Sequence, residues 1–315
     1  MSGLGEIFGG WPPPVLDPAG PFAGPVTALA WVLLISGGLV LAMVLGVTSV
    51  ALFGPRRWRA KLGHERLVWI GGLAFPVVVL TALLLHGLSL TRDLSAPPQP
   101  GETRIRVTGE MWWWRVAYLD TAGREAVQDA NEIHIPVGRP VTLELEAADV
   151  IHSLWIPRLA GKVDMIPGRR NLMRINADRP GTYAAQCAEF CGGPHALMGL
   201  VVVAHAPAEW DAWRTRTAAP PTPTPGRGAE LFLSAGCGAC HTVRGTPANG
   251  LAGPDLTHVG SRRTLGAGIL PNHQGTLAAW IADSQAIKPG NRMPAYPVLS
   301  GPDIRALAAW LGSLK

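Results

Sequence analysis

Charged side chains vanish twice near the start of the chain. Residues 26–53 run for 28 positions without one, and residues 67–90 for 24. About 20 apolar residues suffice to cross a bilayer as a helix, so the pattern predicts two membrane spans joined by a short loop, 54–66. Downstream the period changes. "TRIRVTG", "NEIHIPV", "VTLELEA", "NLMRI" and "MGLVVVA" alternate apolar and polar residues or are rich in β-branched ones, with Gly, Pro, Asn and Asp between them. That spacing predicts many short strands over 102–216, an all-β sandwich or barrel, with helix-like "PAEWDAWRTRT" at its end. "AAPPTPTPGRG" follows, and residues 217–228 read as an extended Pro-rich linker. In 229–315 the spacing turns helical, in "GRGAELFLSAGC", "GTLAAWIADSQAI" and "GPDIRALAAWLGSL", with Gly and Pro stops. Residues 91–101 connect the second span to the strands. Few contacts are expected to cross the linker, so the two soluble parts are expected to fold independently.

Charge adds an orientation. Only 16% of the 315 residues are charged, in keeping with a membrane portion, and the net charge is +5. The basic residues form no long run, which argues against a nucleic-acid partner. Arg56, Arg57, Arg59, Lys61 and Arg66 crowd around the loop between the spans, whereas the segment before the first span, 1–25, has no Lys or Arg. The positive-inside rule places the loop in the cytoplasm and both termini outside. The N-terminus lacks the basic region of a cleavable signal, so the first span is expected to direct insertion.

Four cysteines form two pairs, Cys187 with Cys191 and Cys237 with Cys240. An outward location permits a disulfide in each. The second pair is followed at once by His241, and Cys-x-x-Cys-His reads as covalent attachment of haem c, with His241 on the iron. Met293 is the one methionine of this domain and the expected sixth ligand, a choice that favours electron transfer; His258 and His273 are the alternatives. The first pair sits between strand-like "TYAAQ" and "MGLVVVA", with His195 and Met198 after it and His152 upstream in "ADVIHSLWIP". Two thiolates, two imidazoles and a thioether are a soft donor set that selects copper.

The cluster "QCAEFCGGPHALMG" resembles the dinuclear copper A centre of cytochrome c oxidase subunit II, and the resemblance extends to the two-span hairpin, the β-domain and a fused cytochrome. It implies a multi-domain membrane protein: a two-helix transmembrane hairpin, an all-β, Greek-key, cupredoxin-like copper domain and an all-α class I cytochrome c domain. By the family's pattern, Cys187, Cys191, His195, Met198 and His152 hold the copper pair, and Glu189 adds its backbone carbonyl. The Glu189 carboxylate would hold magnesium at the border with subunit I, and Asp149 would stand on the magnesium side. In class I cytochromes c the residue matching Pro254 accepts the imidazole N–H of the haem histidine. In "GEMWWWRVAY", Trp112 would receive electrons for the copper, with Trp113 and Trp114 beside it; three consecutive tryptophans cannot all face one side of a strand.

The resemblance further implies the electron-input subunit of a proton-translocating oxidase in a bacterial inner membrane. Electrons would pass from a soluble cytochrome c or another periplasmic donor to haem c, then to copper, then to subunit I, where oxygen is reduced to water. Subunit III is a further expected partner, and the fused cytochrome is expected to act as a tethered donor. A subunit of a copper-containing nitric oxide reductase shares this logic. A membrane-tethered copper chaperone would share Cys-x3-Cys and the distant histidine, but needs neither His195, Met198 nor a haem domain. One departure concerns the second span: family members carry a glutamate three residues before its tryptophan, where this chain has Arg66 before Trp69, with Glu65 shifted by one and proline at Pro76. A proton-pathway role for Glu65 is left open.

Overall fold

The computed structural model describes residues 14–95, 97–221 and 223–315. The chain divides into two compact units, Gly24–Pro97 and the remainder. In the first, helix α1 (Gly24–Phe53) is followed by the short basic helix α2 (Arg56–Leu62) and by α3 (Glu65–Leu94). Each long helix has 30 residues, about 45 Å at 1.5 Å per residue, and neither apolar stretch is buried. A helix apolar on every side needs a non-aqueous surround, so these are membrane helices by composition. They exceed the uncharged stretches by including end residues such as Glu65, Arg66, Arg92 and Asp93, which sit in the first and last turns of α3. Within α3, residues Ile70–Ala74 form a π-turn just before Pro76, whose missing N–H breaks the regular ladder. The Glu65 carboxylate accepts from the Trp69 indole at 3.3 Å, one helical turn on.

The second unit begins as a β-sandwich. One sheet has the order β3 (Glu125–Ala130), β2 (Trp113–Leu119), β1 (Thr103–Glu110), β5 (Val141–Ala147) and β8 (Asn171–Ile175). The other runs β4 (Glu132–Pro136), β10 (Gly199–His205), β9 (Gly181–Cys187), β6 (His152–Trp155) and β7 (Lys162–Met165). The β1–β5 and β10–β4 pairs are parallel and the rest antiparallel. Alternation decides which side chains enter: in β1 Ile105 and Val107 are fully buried while Arg104 and Arg106 face out, and in β5 Val141, Leu143 and Leu145 fill the interior. On the outer face Glu144 is nonetheless buried, under Arg104, Arg106 and Arg170. The segment before α1 also belongs here. Ala19 exchanges backbone hydrogen bonds with Arg158 and Asp178, and Asp17 pairs with Arg158 at 2.6 Å. At Gly20 a Cβ would lie 1.9 Å from the Asn176 carbonyl oxygen, so this strap requires glycine.

Helix α4 (Pro207–Ala218) closes one end of the sandwich with Trp210 and Trp213, stacked 5.2 Å apart. It runs two residues into the segment read as linker. The last domain is helical: α5 (Arg227–Ser234), α6 (Gln274–Ala282), α7 (Ser284–Ile287) and α8 (Gly301–Ser313). Phe232, Leu277, Ile281, Leu307, Trp310 and Leu311 make its core. Gly228 lets α5 approach α8 closely, since a Cβ there would fall 2.4 Å from that of Trp310.

Contacts do cross between the two soluble parts. The β-sandwich and the helical domain lie in one compact unit. Arg262 pairs with Asp129 at 2.8 Å, both almost fully buried. The Thr264 N–H donates to Glu132 at 3.0 Å, Arg115 to the Leu251 carbonyl at 2.8 Å, and the Gly199 N–H to Ala267 at 2.9 Å. A composition of prolines reports only that the linker is extended; it carries no information on whether the domains it joins have complementary surfaces.

Candidate metal centres

Three neighbouring strand ends of one sheet assemble the first centre. His152 opens β6, Cys187 ends β9, and the connection from β9 to β10 carries Cys191, His195 and Met198. Leu154 pairs with Cys187 and Gly199 with Gln186, so the register brings the 35-residue-distant histidine beside the cysteine loop. The loop is fixed by its backbone: Cys187 N–H donates to Met198, Ala188 to Ser153 and Met198 to His195. At Gly109 on β1, a Cβ would fall 2.8 Å from the His152 ring, so the absence of a side chain there makes room for the imidazole.

The donor atoms converge. Cys187 Sγ lies 3.8 Å from Cys191 Sγ and 3.8 Å from His152 Nδ1. Cys191 Sγ is 3.5 Å from His195 Nδ1 and 3.8 Å from Met198 Sδ, and the Glu189 carbonyl oxygen is 3.2 Å from Cys187 Sγ. A disulfide has sulfurs about 2.05 Å apart, and both thiols here are free. The nitrogen of His152 and the two sulfurs fall within 4.8 Å of one another, all three residues buried. Cys187 ionises first, its pKa pulled to about 3 by the Cys191 thiol donating to it and, against burial, by His152; Cys191, which supplies that bond, is pushed up. Two soft sulfurs that share a site, imidazole nitrogens and a thioether fit a thiophilic metal such as copper.

Asp149 stands behind His152. Its Oδ1 accepts from His152 Nε2 at 2.9 Å, and its Oδ2 accepts from the Met111 N–H at 2.8 Å and faces Arg292 at 3.3 Å. The carboxylate thus stands at the back of His152. Burial disfavours its charge, but the hydrogen bonds from His152, Met111 and Val150 outweigh that and hold its pKa down. The same bond, with the one to Cys187, raises the His152 pKa against the effect of burial. It also leaves Nδ1 to face the sulfurs, the usual way a carboxylate orients a ligating imidazole. The side chain of Glu189 is exposed.

The second centre is a cavity of about 420 Å³ in the helical domain, lined by Cys237, Cys240, His241, Pro254, Met293 and Tyr296, with Phe232, Leu277 and Ile281 as apolar walls. His241 Nδ1 lies 2.8 Å from the Pro254 carbonyl oxygen, so it carries the proton and leaves Nε2 free. Burial lowers the His241 pKa and keeps the ring neutral, as a ligand must be. Gly253 lies against that ring; a Cβ there would be 2.6 Å away. Spacing alone did not point to the residues that place Met293. Its N–H donates to Asn291 Oδ1 at 2.8 Å, and its carbonyl accepts from Ser284 at 3.0 Å and Gln285 at 2.8 Å. His258 contacts Arg244 at 3.1 Å and His273 caps α6, and neither lines the cavity. The thiols, His241 and Met293 facing one apolar cavity fit a covalently held haem.

The tryptophans part company as their consecutive positions require. Trp114 is fully buried in the sandwich core, 6.1 Å from the His152 ring. Trp113 lies under Arg115, 4.7 Å from ring to guanidinium. Trp112, just before β2, donates its indole N–H to the Cys191 carbonyl at 2.8 Å and also lines the haem-domain cavity.

Comparison with known proteins agrees with both centres. Residues 117–205 match the family model described as cytochrome C oxidase subunit II, periplasmic domain, and residues 226–315 match that described as cytochrome c. The cytochrome c oxidase subunit 2 of Alkalihalophilus pseudofirmus is 37% identical over 95% of this chain and 90% of its own. That of Bacillus subtilis is 29% identical over 76% of this chain and 72% of its own. Among solved structures, the periplasmic domain of subunit II of the Bradyrhizobium japonicum cytochrome oxidase aligns with 38% of this chain and 95% of its own, at 28% identity and a TM-score of 0.35. Identity at this level along nearly the whole length, with both domains matched in order, means that the chain belongs to the cytochrome c oxidase subunit 2 family and carries a cytochrome c domain at its C-terminus.

Proposed function

We propose that this chain is the electron-input subunit of its oxidase, holding a dinuclear copper A centre in the β-domain and one covalent haem c in the helical domain. Cys187, Cys191, His152, His195, Met198 and the Glu189 carbonyl hold the copper pair; Cys237, Cys240, His241 and Met293 hold the haem. When bound, these groups supply one-electron carriers that change little in geometry between oxidation states, and the route proposed runs from an outside donor through the haem domain to copper and on to subunit I. The protein's part is ligation, burial and orientation. Pro254 holds His241 in one tautomer, Asp149 does the same for His152, and Asn291, Ser284 and Gln285 fix the Met293 loop. Trp112 is the observation that carries the reading: one ring both borders the haem cavity and hydrogen-bonds the backbone of Cys191.

The two apolar helices fit a membrane protein with two spans, and the proposed orientation has the basic loop 54–66 on the cytoplasmic side of a bacterial inner membrane. The strap at Asp17–Ala19 packs on the β-sandwich, which supports a reading with the chain on the same side before the first span and after the second. Subunit I, subunit III and a periplasmic cytochrome or other donor are the proposed partners, and the exposed Glu189 carboxylate is the proposed protein ligand to magnesium at the subunit I border. Metal analysis of the full-length chain in detergent tests the core of this. Two coppers and one covalent haem per chain are expected; one copper, or a Cys187–Cys191 disulfide in copper-loaded protein, overturns the dinuclear reading.

A further inference from the structure

Lys288 is almost wholly buried, at 2% exposure, and among the described residues no carboxylate pairs with it. Its ammonium donates instead to three carbonyl oxygens: Trp112 at 2.7 Å, Leu197 at 2.8 Å and Gly266 at 2.9 Å. Three donors meet three acceptors, so the group is saturated. The carbonyls come from both domains. Trp112 and Leu197 belong to the two loops of the β-domain that flank the copper donors, Leu197 directly preceding Met198. Gly266 and Lys288 itself belong to the haem domain, and Lys288 stands between α7 and the Met293 loop. A lysine is seldom buried without a partner, and a cage of oxygens drawn from three segments exists in one relative placement of the domains only. Sliding the interface by one residue would leave a buried charge unpaired, which discriminates strongly against other registers. The neighbouring contacts are of the same kind: Arg262 with Asp129 is buried on both sides, and the Gly199 N–H to Ala267 bond adds a backbone contact between the domains beside the copper loop. A transient docking site has charges on a wet rim; here they are at the dry centre.

The geometry assigns to Lys288 the role of a positioning residue that locks the haem domain in one register over Trp112, making the fused cytochrome a fixed cover of the copper-side input face and not a tethered shuttle. It follows that an outside donor delivers electrons to the haem domain and does not reach Trp112 directly. This rests on the electron-relay reading for its consequence, but the lock itself is a statement about two protein surfaces.

The experiment uses the full-length chain in detergent, as wild type, Lys288→Met, Lys288→Arg and Arg262→Gln. Flash-initiated haem-to-copper transfer is measured across a series of glycerol concentrations, and hydrogen exchange is followed at the amides of Gly199 and Thr264. A locked interface predicts a wild-type rate independent of viscosity and strong protection of both amides. Lys288→Met should keep its copper, haem and Met293-ligated spectrum, lose at least tenfold of that protection, and transfer at least tenfold more slowly, now with viscosity dependence. Lys288→Arg, too large for the cage, should fall in the same direction. A wild-type rate that slows with viscosity, or a Lys288→Met protein with wild-type protection and rate, overturns the lock. Should Lys288→Met fail to fold, the wild-type viscosity series and Arg262→Gln, which removes a second interdomain contact at a residue that lines the haem cavity but is no ligand of either centre, still decide it. Failure of the chain to hold copper or haem would defeat the relay reading alone, because the exchange measurement needs neither.

Discussion

Trp112 and Cys191 are joined by a single hydrogen bond, 2.8 Å from the indole Nε1 to the cysteine carbonyl oxygen. It links a ring at the haem-domain cavity to the backbone of a copper donor without passing through solvent. Replacing Trp112 with Phe keeps an aromatic ring but removes the donor; replacing it with Ala removes both. Haem-to-copper transfer is expected to slow in Phe and further in Ala, with copper content, haem content and folding retained. Trp114→Ala is the control. That side chain is fully buried, so its loss should cost about 3–5 kcal/mol of stability. Wild-type transfer in Trp112→Ala, measured by flash reduction with the near-infrared copper band as readout, removes Trp112 from the route.

The contrast between those two tryptophans marks how far the sequence could be read. The alternation in "TRIRVTG" and "VTLELEA" gave the strands because burial in a sheet follows a period of two, and the two cysteine clusters could be singled out because such residue types at fixed spacing have few other uses. The partners of Asp149 were not legible, since which donors a loop carboxylate finds depends on the fold of the segments around it, here Met111, His152 and Arg292. Lys288 carried no signal at all. A lysine between "AI" and "PG" reads as a solvated side chain, and only the docking of two domains supplies the three carbonyls that bury it. The strap at Ala19 was hidden for the same reason: its partners, Arg158 and Asp178, lie some 140 residues or more downstream.

Asp149→Asn tests the orientation of His152. The amide can still accept from His152 Nε2 through its oxygen, but its NH₂ cannot take the place of Oδ2 as acceptor of the Met111 N–H. Loss of such a partner behind a ligating imidazole typically lowers metal affinity by about 10- to 100-fold. Copper should bind in the same stoichiometry but leave sooner on titration with a competing chelator, and the copper spectrum should shift. Unchanged chelator resistance and an unchanged spectrum would show that Asp149 does not orient the ligand.

Met293→Ala tests the axial position. In the proposed reading thioethers at Cys237 and Cys240 hold the haem, so its content should not change. With His258 held against Arg244 and His273 used as a helix cap, no histidine other than His241 lines the cavity among the described residues to take the vacant place. The iron should therefore become high-spin and bind added imidazole or cyanide readily, with an altered potential. A low-spin spectrum at wild-type potential would assign the ligand elsewhere.

The last prediction concerns acid stability, and it lies away from both metal centres. His205 stacks on His134 and Trp213, with Trp210 tilted beside it, at the closed end of the sandwich, and its Nε2 is 2.8 Å from His134 Nδ1. Burial lowers its pKa to about 4, helped by the positive charges of His134, Arg263 and Arg216. In the unfolded chain the same imidazole titrates near 6.5. Between these two values the unfolded state holds the extra proton, so stability rises with pH there. The full contribution of a neutral His205 is present above about pH 6.5, and it is lost progressively as the pH falls towards 4. His205→Gln can keep a hydrogen bond to His134 and cannot titrate. Thermal unfolding of the full-length chain, followed at several pH values, should give the variant a shallower fall in Tm than wild type between pH 6.5 and 4, with little difference in slope above pH 7. Parallel curves through the acid range would mean that His205 protonates in the folded protein as readily as in the unfolded one, and that the stack around Trp213 does not exclude its charge.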